Sequence, residues 1–229
     1  MGEIVSHAWR IYFSNFPALF GLALLSLPIQ MLAGTIQDQA SKATQANLIG
    51  LLFIPSIVVS MVTSSAVIYA ANAAITGGRS EFGAAIDVAF SRLGAVISSF
   101  ALYAVLTIAS LIAFPYFAVR WTFQSQAVMI DGKRNWAALD ASSSVVKARW
   151  WRTFGVLLFV LAPVITVTGL QSAPWALGLI PLTLLGLAFS VVMPYVVTAQ
   201  TLLYYDLKAR KQADLSTDRL SAPEQNLPG

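Results

Sequence analysis

The fold is indicated first by the stretch at residues 131 to 152, DGKRNWAALDASSSVVKARWWR, which is the longest polar interruption in an otherwise apolar sequence. Drawn as a helix, it carries one apolar stripe, formed by Trp136, Leu139, Val146 and Trp150. Its charged residues fall mostly on the opposite side, which is the pattern of a helix at a membrane surface. We therefore expect an amphipathic surface helix that leads into a membrane span.

Composition places the whole chain in the membrane class. Hydrophobic residues make up 57% of the 229 residues and charged residues 10%, and the mean hydropathy is +0.72. Soluble domains carry roughly 25% charged residues, so a soluble fold of this size would leave much apolar surface uncovered. Membrane spans explain the composition better, and we expect an all-α polytopic membrane protein.

Residue types that carry catalysis or bind metals are scarce. The chain has no Cys, and His7 is its single His. Disulfides, thiolate zinc sites and thiolate nucleophiles are therefore excluded, and the acidic residues are not clustered as an oxygen-ligand site would require. We predict no catalytic residue, no metal site and no cofactor, and we expect that the protein is not an enzyme.

The apolar runs predict six membrane spans in one integral membrane domain, residues 1–211. The run after residue 93 would be about 55 Å long as a single helix, whereas the hydrocarbon core is about 30 Å thick, so we place a turn near Pro115. Residues 212–229 lack apolar periodicity and are expected to form a disordered cytoplasmic tail. The predicted spans are 16–34, 48–76, 94–114, 115–130, 151–172 and 176–206.

A repeated unit organises these spans. Amphipathic segments at residues 3–15, 80–93 and 131–152 each precede two spans, which predicts three hairpins, each preceded by an interfacial helix. A short internal match, AAID at residues 84–87 and AALD at residues 137–140, supports the repeat.

Basic residues lie on one side of this arrangement. All Lys and Arg residues except Lys42 and Arg120 fall in the N-terminal segment, in the other two amphipathic segments with their flanks, or after the last span. By the positive-inside rule that side is the cytoplasm, so both termini are expected there. The same residues explain the basic charge without nucleic acid, and we predict no nucleic-acid partner.

The second predicted span carries stripes of small residues at helical spacing. Serines recur at positions 56, 60 and 64, and alanines at positions 66, 70 and 74. Small residues at this spacing let helices approach closely in lipid. We interpret both stripes as tight helix packing rather than as a ligand site.

Arg120 and Gln124 form the candidate polar site inside the membrane. They are one helical turn apart in the fourth predicted span and would present adjacent polar groups to one neighbour. An intramembrane arginine indicates function, because an unpaired one costs several kcal/mol, with estimates from roughly 2.5 to 3.5 upward. The alternative is that Arg120 extends to the interface beside Trp121. Sequence leaves both interpretations open.

Basic residues near the last two spans are candidates for contacts with anionic lipids, each contributing about 1 kcal/mol near a charged surface. Such bases can also serve only to set the orientation of the spans. The candidate contacts are Lys147, Arg149, Arg152, Lys208 and Arg210.

Two stretches carry a resemblance to a known family. Residues 138–155, with Ala138-Leu139-Asp140 and Arg149-Trp150-Trp151-Arg152-Thr153-Phe154-Gly155, and the end of the last span at residues 202–211, LLYYDLKARK, resemble the integral membrane domain fused to some bacterial glycerophosphodiester phosphodiesterases. The resemblance implies a multi-span protein of the bacterial inner membrane. The family's catalytic domain has its own His and carboxylate metal site, and this chain has no counterpart of it.

Two functions follow as alternatives. The first is a non-enzymatic inner-membrane protein that organises lipids or partner proteins through its surface helices. The second is a transporter or lipid translocator with a polar path around Arg120.

Overall fold

The computed structural model describes residues 2–29, 32, 42–78, 81–109, 114–172 and 182–221. Throughout these ranges the chain is helical or forms short connections, and they contain no β-strand. Residues 110–113, which precede the turn predicted near Pro115, the connection between the last two predicted spans and most of the segment after the first predicted span lie outside the described residues. The helices are α1 Gly2–Ser14, α2 Phe16–Leu24, α3 Lys42–Ile75, α4 Phe82–Ser91, α5 Leu93–Ala109, α6 Phe114–Trp121, α7 Gln124–Met129, α8 Trp136–Val146, α9 Trp150–Ser172 and α10 Leu182–Ser221.

Helix α10 is the centre of the bundle, because it contacts α1, α2, α3, α8 and α9. Its inward side buries Leu203, Tyr204 and Leu207. Helix α1 is fixed to it where the Tyr12 hydroxyl donates to the carbonyl of Val191 at 2.8 Å.

Helices that are long and apolar enough to span a membrane are present, but the predicted number of spans is not confirmed. In the described part of the chain, three helical stretches are long and apolar enough to cross a membrane: Ile54–Ile75, Trp136–Gly169 and Gly186–Thr217. Two further pairs of helices reach that length only together, and they are bent by 82° (Ile4–Ser14 with Phe16–Ile29) and by 58° (Phe82–Ser91 with Leu93–Ile108). The chain therefore has three to five candidate spans in these ranges, and the three hairpins stay a prediction.

The predicted fourth span, residues 115–130, is two short helices rather than one. Helix α6 ends at Trp121 and α7 begins at Gln124, so the backbone is broken at residues 122 and 123. Neither helix reaches the roughly 20 residues that a perpendicular crossing requires.

The polar segment at residues 131–152 also differs from its prediction. Residues 131–135 form a turn, with positive φ at Gly132 and Asn135, and the helix starts only at Trp136. Its buried side is formed by protein contacts with α5, α6, α7 and α10, so α8 is not simply half in lipid and half in water. The residues buried there are Ala138, Leu139, Ser142, Ser143, Val145 and Val146.

The predicted disordered tail is helical over its first ten residues, because α10 continues to Ser221. No Gly or Pro occurs between residues 195 and 222, and the segment is rich in good helix formers. An ion pair one turn apart, Arg210 with Asp206 at 2.9 Å, adds local support. Residues 222–229 lie outside the described ranges.

Candidate functional site

Arg120 is held by α8. Its Nε donates to the Ser143 hydroxyl at 2.8 Å, and its Nη2 donates to the same oxygen. Its Nη1 donates to the Tyr116 hydroxyl at 3.2 Å, and its Cζ lies 5.4 Å from the centre of the Tyr116 ring. The guanidinium is half-buried and has a hydroxyl partner on a neighbouring helix. This arrangement differs from both interpretations of the sequence, because Arg120 joins two helices.

Ser142 completes the same contact by bridging the break between α6 and α7. Its hydroxyl donates to the carbonyl of Arg120 at 2.7 Å and accepts from the amide of Phe123 at 3.1 Å. A helix break inside an apolar bundle exposes backbone groups that water cannot reach, and each must find another partner. One side chain supplies both partners here. We call Ser142, Ser143, Arg120 and the break at residues 122–123 the α8 contact.

Gln124 does not join Arg120 in a polar pair, because the break lies between them. Gln124 and Gln126 are 6% and 2% exposed, and the Oε1 of each has no hydrogen-bond partner among the described residues. The predicted site therefore separates into an arginine that contacts α8 and a glutamine that faces the interior.

Asp131 is a second polar connection, between the turn before α8 and the central helix. Its carboxylate accepts from the Tyr204 hydroxyl at 2.6 Å and from Lys208 Nζ at 2.7 Å. Arg92 stabilises the C-terminal end of α7, just before Asp131, by donating to the carbonyls of Val128 and Met129 at 2.9 and 2.7 Å. Bases beside the last carbonyls of a helix also interact favourably with its dipole.

Most of the predicted lipid contacts already have acidic partners. Lys208 pairs with Asp131, as described. The other pairs are Arg149 with Asp214 at 2.8 Å, Arg152 with Asp206 at 3.3 Å and Arg210 with Asp206 at 2.9 Å.

A different set of bases is exposed without an acidic partner. Lys133, Arg134 and Lys147 are exposed, and no ion pair to them occurs in the described ranges. Two tryptophans close to them in the sequence are also exposed, Trp136 by 62% and Trp151 by 78% of the residue surface. Of the predicted contacts, Lys147 alone belongs to this set.

The serine stripe of α3 lines a cavity of about 570 Å³, which contradicts the interpretation as tight packing. The walls come from residues 23–29 and from α3, α5, α7 and α10. Ser60 is exposed into this space, and Ser56 and Ser64 are partly exposed. The alanine stripe does pack tightly, since Ala66 and Ala70 are 0% and 3% exposed.

Sequence reasoning missed Ser142, Asp131 and Tyr204. Ser142 stands in a run of three serines at residues 142–144, which was a signal of a polar helix face. Asp131 stands at the start of the polar stretch, and its partners lie 73 and 77 residues further along the chain. Nothing in the local pattern indicated those partners.

The polar contacts of Arg120, Ser142 and Asp131 connect neighbouring parts of the fold. No group of three or more His, Cys, Asp or Glu side chains that could hold a metal occurs in the part of the chain that the structure describes. Comparisons of this chain with protein-family models, with curated proteins and with solved structures find no match. The site is therefore interpreted from its own geometry.

Proposed function

We propose that this chain is a non-enzymatic multi-span protein of the bacterial inner membrane that organises anionic lipids at its cytoplasmic surface. The observation that carries the proposal is the exposed set Lys133, Arg134 and Lys147, which has no acidic partner in the described ranges. The exposed Trp136 and Trp151 are close to this set in the sequence. Tryptophan is enriched at the headgroup level of membranes. Exposed bases at that level attract anionic headgroups.

The paired bases are weaker candidates for the same role. Arg149, Arg152 and Arg210 each lie beside a carboxylate, so their positive charge is partly neutralised within the protein. A lipid phosphate would have to compete with that carboxylate. We therefore assign headgroup contact to the unpaired set first.

The cytoplasmic location of this surface belongs to the proposal and is supported by the charge asymmetry of the sequence. A reporter enzyme that is active only outside the cytoplasm, fused after residue 229, is expected to be inactive. An active fusion would reject the proposed orientation.

The contacts offer little support to the alternative of a transporter with a polar path around Arg120. Its guanidinium is engaged by Ser143 and Tyr116. Arg120 is also not among the described residues that line the large cavity. No contact in the described part of the chain favours a protein partner over a lipid.

The lipid proposal is tested with the full chain extracted from vesicles of phosphatidylcholine and phosphatidylglycerol. The triple variant Lys133→Gln, Arg134→Gln, Lys147→Gln removes these three unpaired basic residues. At about 1 kcal/mol for each base, one base corresponds to about a fivefold change in affinity. We expect the phosphatidylglycerol that co-purifies with the protein, measured by mass spectrometry, to fall at least fivefold.

Two matched variants control for charge and for folding. Exchanging Lys and Arg at positions 133, 134 and 147 keeps the charge and should retain the lipid. The double variant Arg149→Gln, Asp214→Asn removes a base together with its partner, and we expect less than a twofold change. Unchanged lipid in the triple variant, or an equal loss in the double variant, would overturn the proposal.

A further inference from the structure

The serine-lined cavity is a second candidate site, separate from the surface bases. Its volume of about 570 Å³ lies within the range of about 300 to 1,000 Å³ that is typical of small-molecule sites. Five parts of the chain, from residue 23 to residue 197, contribute to its wall. The space therefore depends on the tertiary fold rather than on one helix.

The wall carries hydroxyl groups and no charge. Besides the α3 stripe, Ser125 and Ser190 contribute hydroxyls from α7 and α10, and none of the described lining residues is Asp, Glu, Lys, Arg or His. A charged ligand would be surrounded by apolar groups without a counter-charge, which is costly at membrane depth. The occupant is therefore uncharged where it meets this wall.

Two of the lining hydroxyls are buried without a partner. Thr63 is 8% exposed and Ser65 is 0% exposed, and neither hydroxyl has a hydrogen-bond partner within the described residues. A buried hydroxyl left unpaired costs about 1 to 3 kcal/mol. Both oxygens are covered by the protein, so a ligand meets instead the hydroxyls of the exposed Ser60 and the partly exposed Ser64.

The rest of the wall is apolar. Ile57, Met61, Phe100, Phe189 and Met193 contribute hydrocarbon surface from three helices. An occupant must therefore combine a few hydroxyl or carbonyl oxygens with a hydrocarbon body.

We propose that this cavity binds an uncharged single-chain lipid, with its hydroxyl and ester oxygens at the serine wall and its acyl chain along the apolar wall. This site differs from the proposed surface in both position and lipid charge. The two proposals can therefore fail independently.

The test uses a monoacylglycerol with a diazirine in its acyl chain as the probe, added to the full-length protein in detergent. On illumination we expect saturable labelling of peptides from α3 and α10. Unlabelled monoacylglycerol should compete, and lysophosphatidic acid of the same chain length should compete at least tenfold less well. Equal competition by the charged lipid would overturn the proposal.

Cavity-filling variants complete the test. Ser60→Phe places a large side chain in the space, and we expect labelling to fall at least tenfold. Ser98→Phe is the matched control, because Ser98 is exposed on α5 and is not among the lining residues. If Ser60→Phe does not fold, Ser64→Leu fills the same wall with a smaller side chain. Unchanged labelling in a folded filling variant would reject the site.

Discussion

The α8 contact can be compared with the serine-lined cavity, since both place serine hydroxyls inside a largely apolar bundle. In the α8 contact, Ser142 and Ser143 are bonded to groups of α6 and of the break that follows it. In the cavity, the hydroxyls of Thr63 and Ser65 have no partner within the described ranges. Hydroxyl side chains therefore satisfy backbone groups in one region and stay buried without a partner in the other.

The two regions differ in whether unpaired backbone groups lie beside the serine hydroxyls. The break at residues 122–123 offers an amide and a carbonyl that no helix satisfies, and α8 brings a hydroxyl to both. The regular helix around Ser65 keeps its own amides and carbonyls paired, so its hydroxyls gain nothing from an adjacent helix. This difference predicts that serine substitutions in the two regions change the free energy of unfolding in opposite directions.

The largest expected effect is at Ser142. Ser142→Ala leaves the amide of Phe123 and the carbonyl of Arg120 without their partner, and we expect the free energy of unfolding to fall by about 3 kcal/mol. Equilibrium unfolding in mixed micelles measures it. Ser98→Ala is the control, because the Ser98 hydroxyl is exposed and bonds only within its own helix. A similar small loss in both variants would remove the distinction between the two regions.

A smaller loss is expected at Arg120. Arg120→Met removes the charge-assisted bonds to Ser143 and should lower the free energy of unfolding by about 2 kcal/mol. The double variant Arg120→Met, Ser143→Ala should lose much less than the sum of the two single losses, because both remove the same interaction. Additive losses would show that the two residues do not act together.

The smallest effect should have the opposite sign. Ser65→Ala removes a buried hydroxyl that has no partner among the described residues, and we expect the free energy of unfolding to rise by up to about 1 kcal/mol in lipid-free detergent. Ser190→Ala is the matched control in the same cavity, since its hydroxyl donates to Gly186, and it should lose about 1 kcal/mol. A loss at Ser65 equal to that at Ser190 would contradict the comparison.

Sequence predicted the helical character of the described chain and the presence of helices apolar enough to cross a membrane, because both follow from composition and apolar run length. It did not predict the break between α6 and α7. No Gly or Pro lies between residues 116 and 131, so the local pattern favours a continuous helix. The break is stabilised by Ser142, which a local pattern cannot indicate.

The candidate sites were predicted in part, for a similar reason. Spacing identified Arg120 as an unusual residue and identified the α3 serines as one stripe. It could not tell whether a stripe meets a neighbouring helix or an open space, since that depends on where α7 and α10 lie. The resemblance to the phosphodiesterase membrane domain stays a prediction.

The bridge at Ser142 also has a consequence for biosynthesis. The amide of Phe123 emerges from the ribosome 19 residues before the side chain that satisfies it. We therefore expect residues 114–129 to remain near water or the insertion machinery until α8 has been synthesised. In that order of events, a serine that is translated later sets when this part of the protein can assemble.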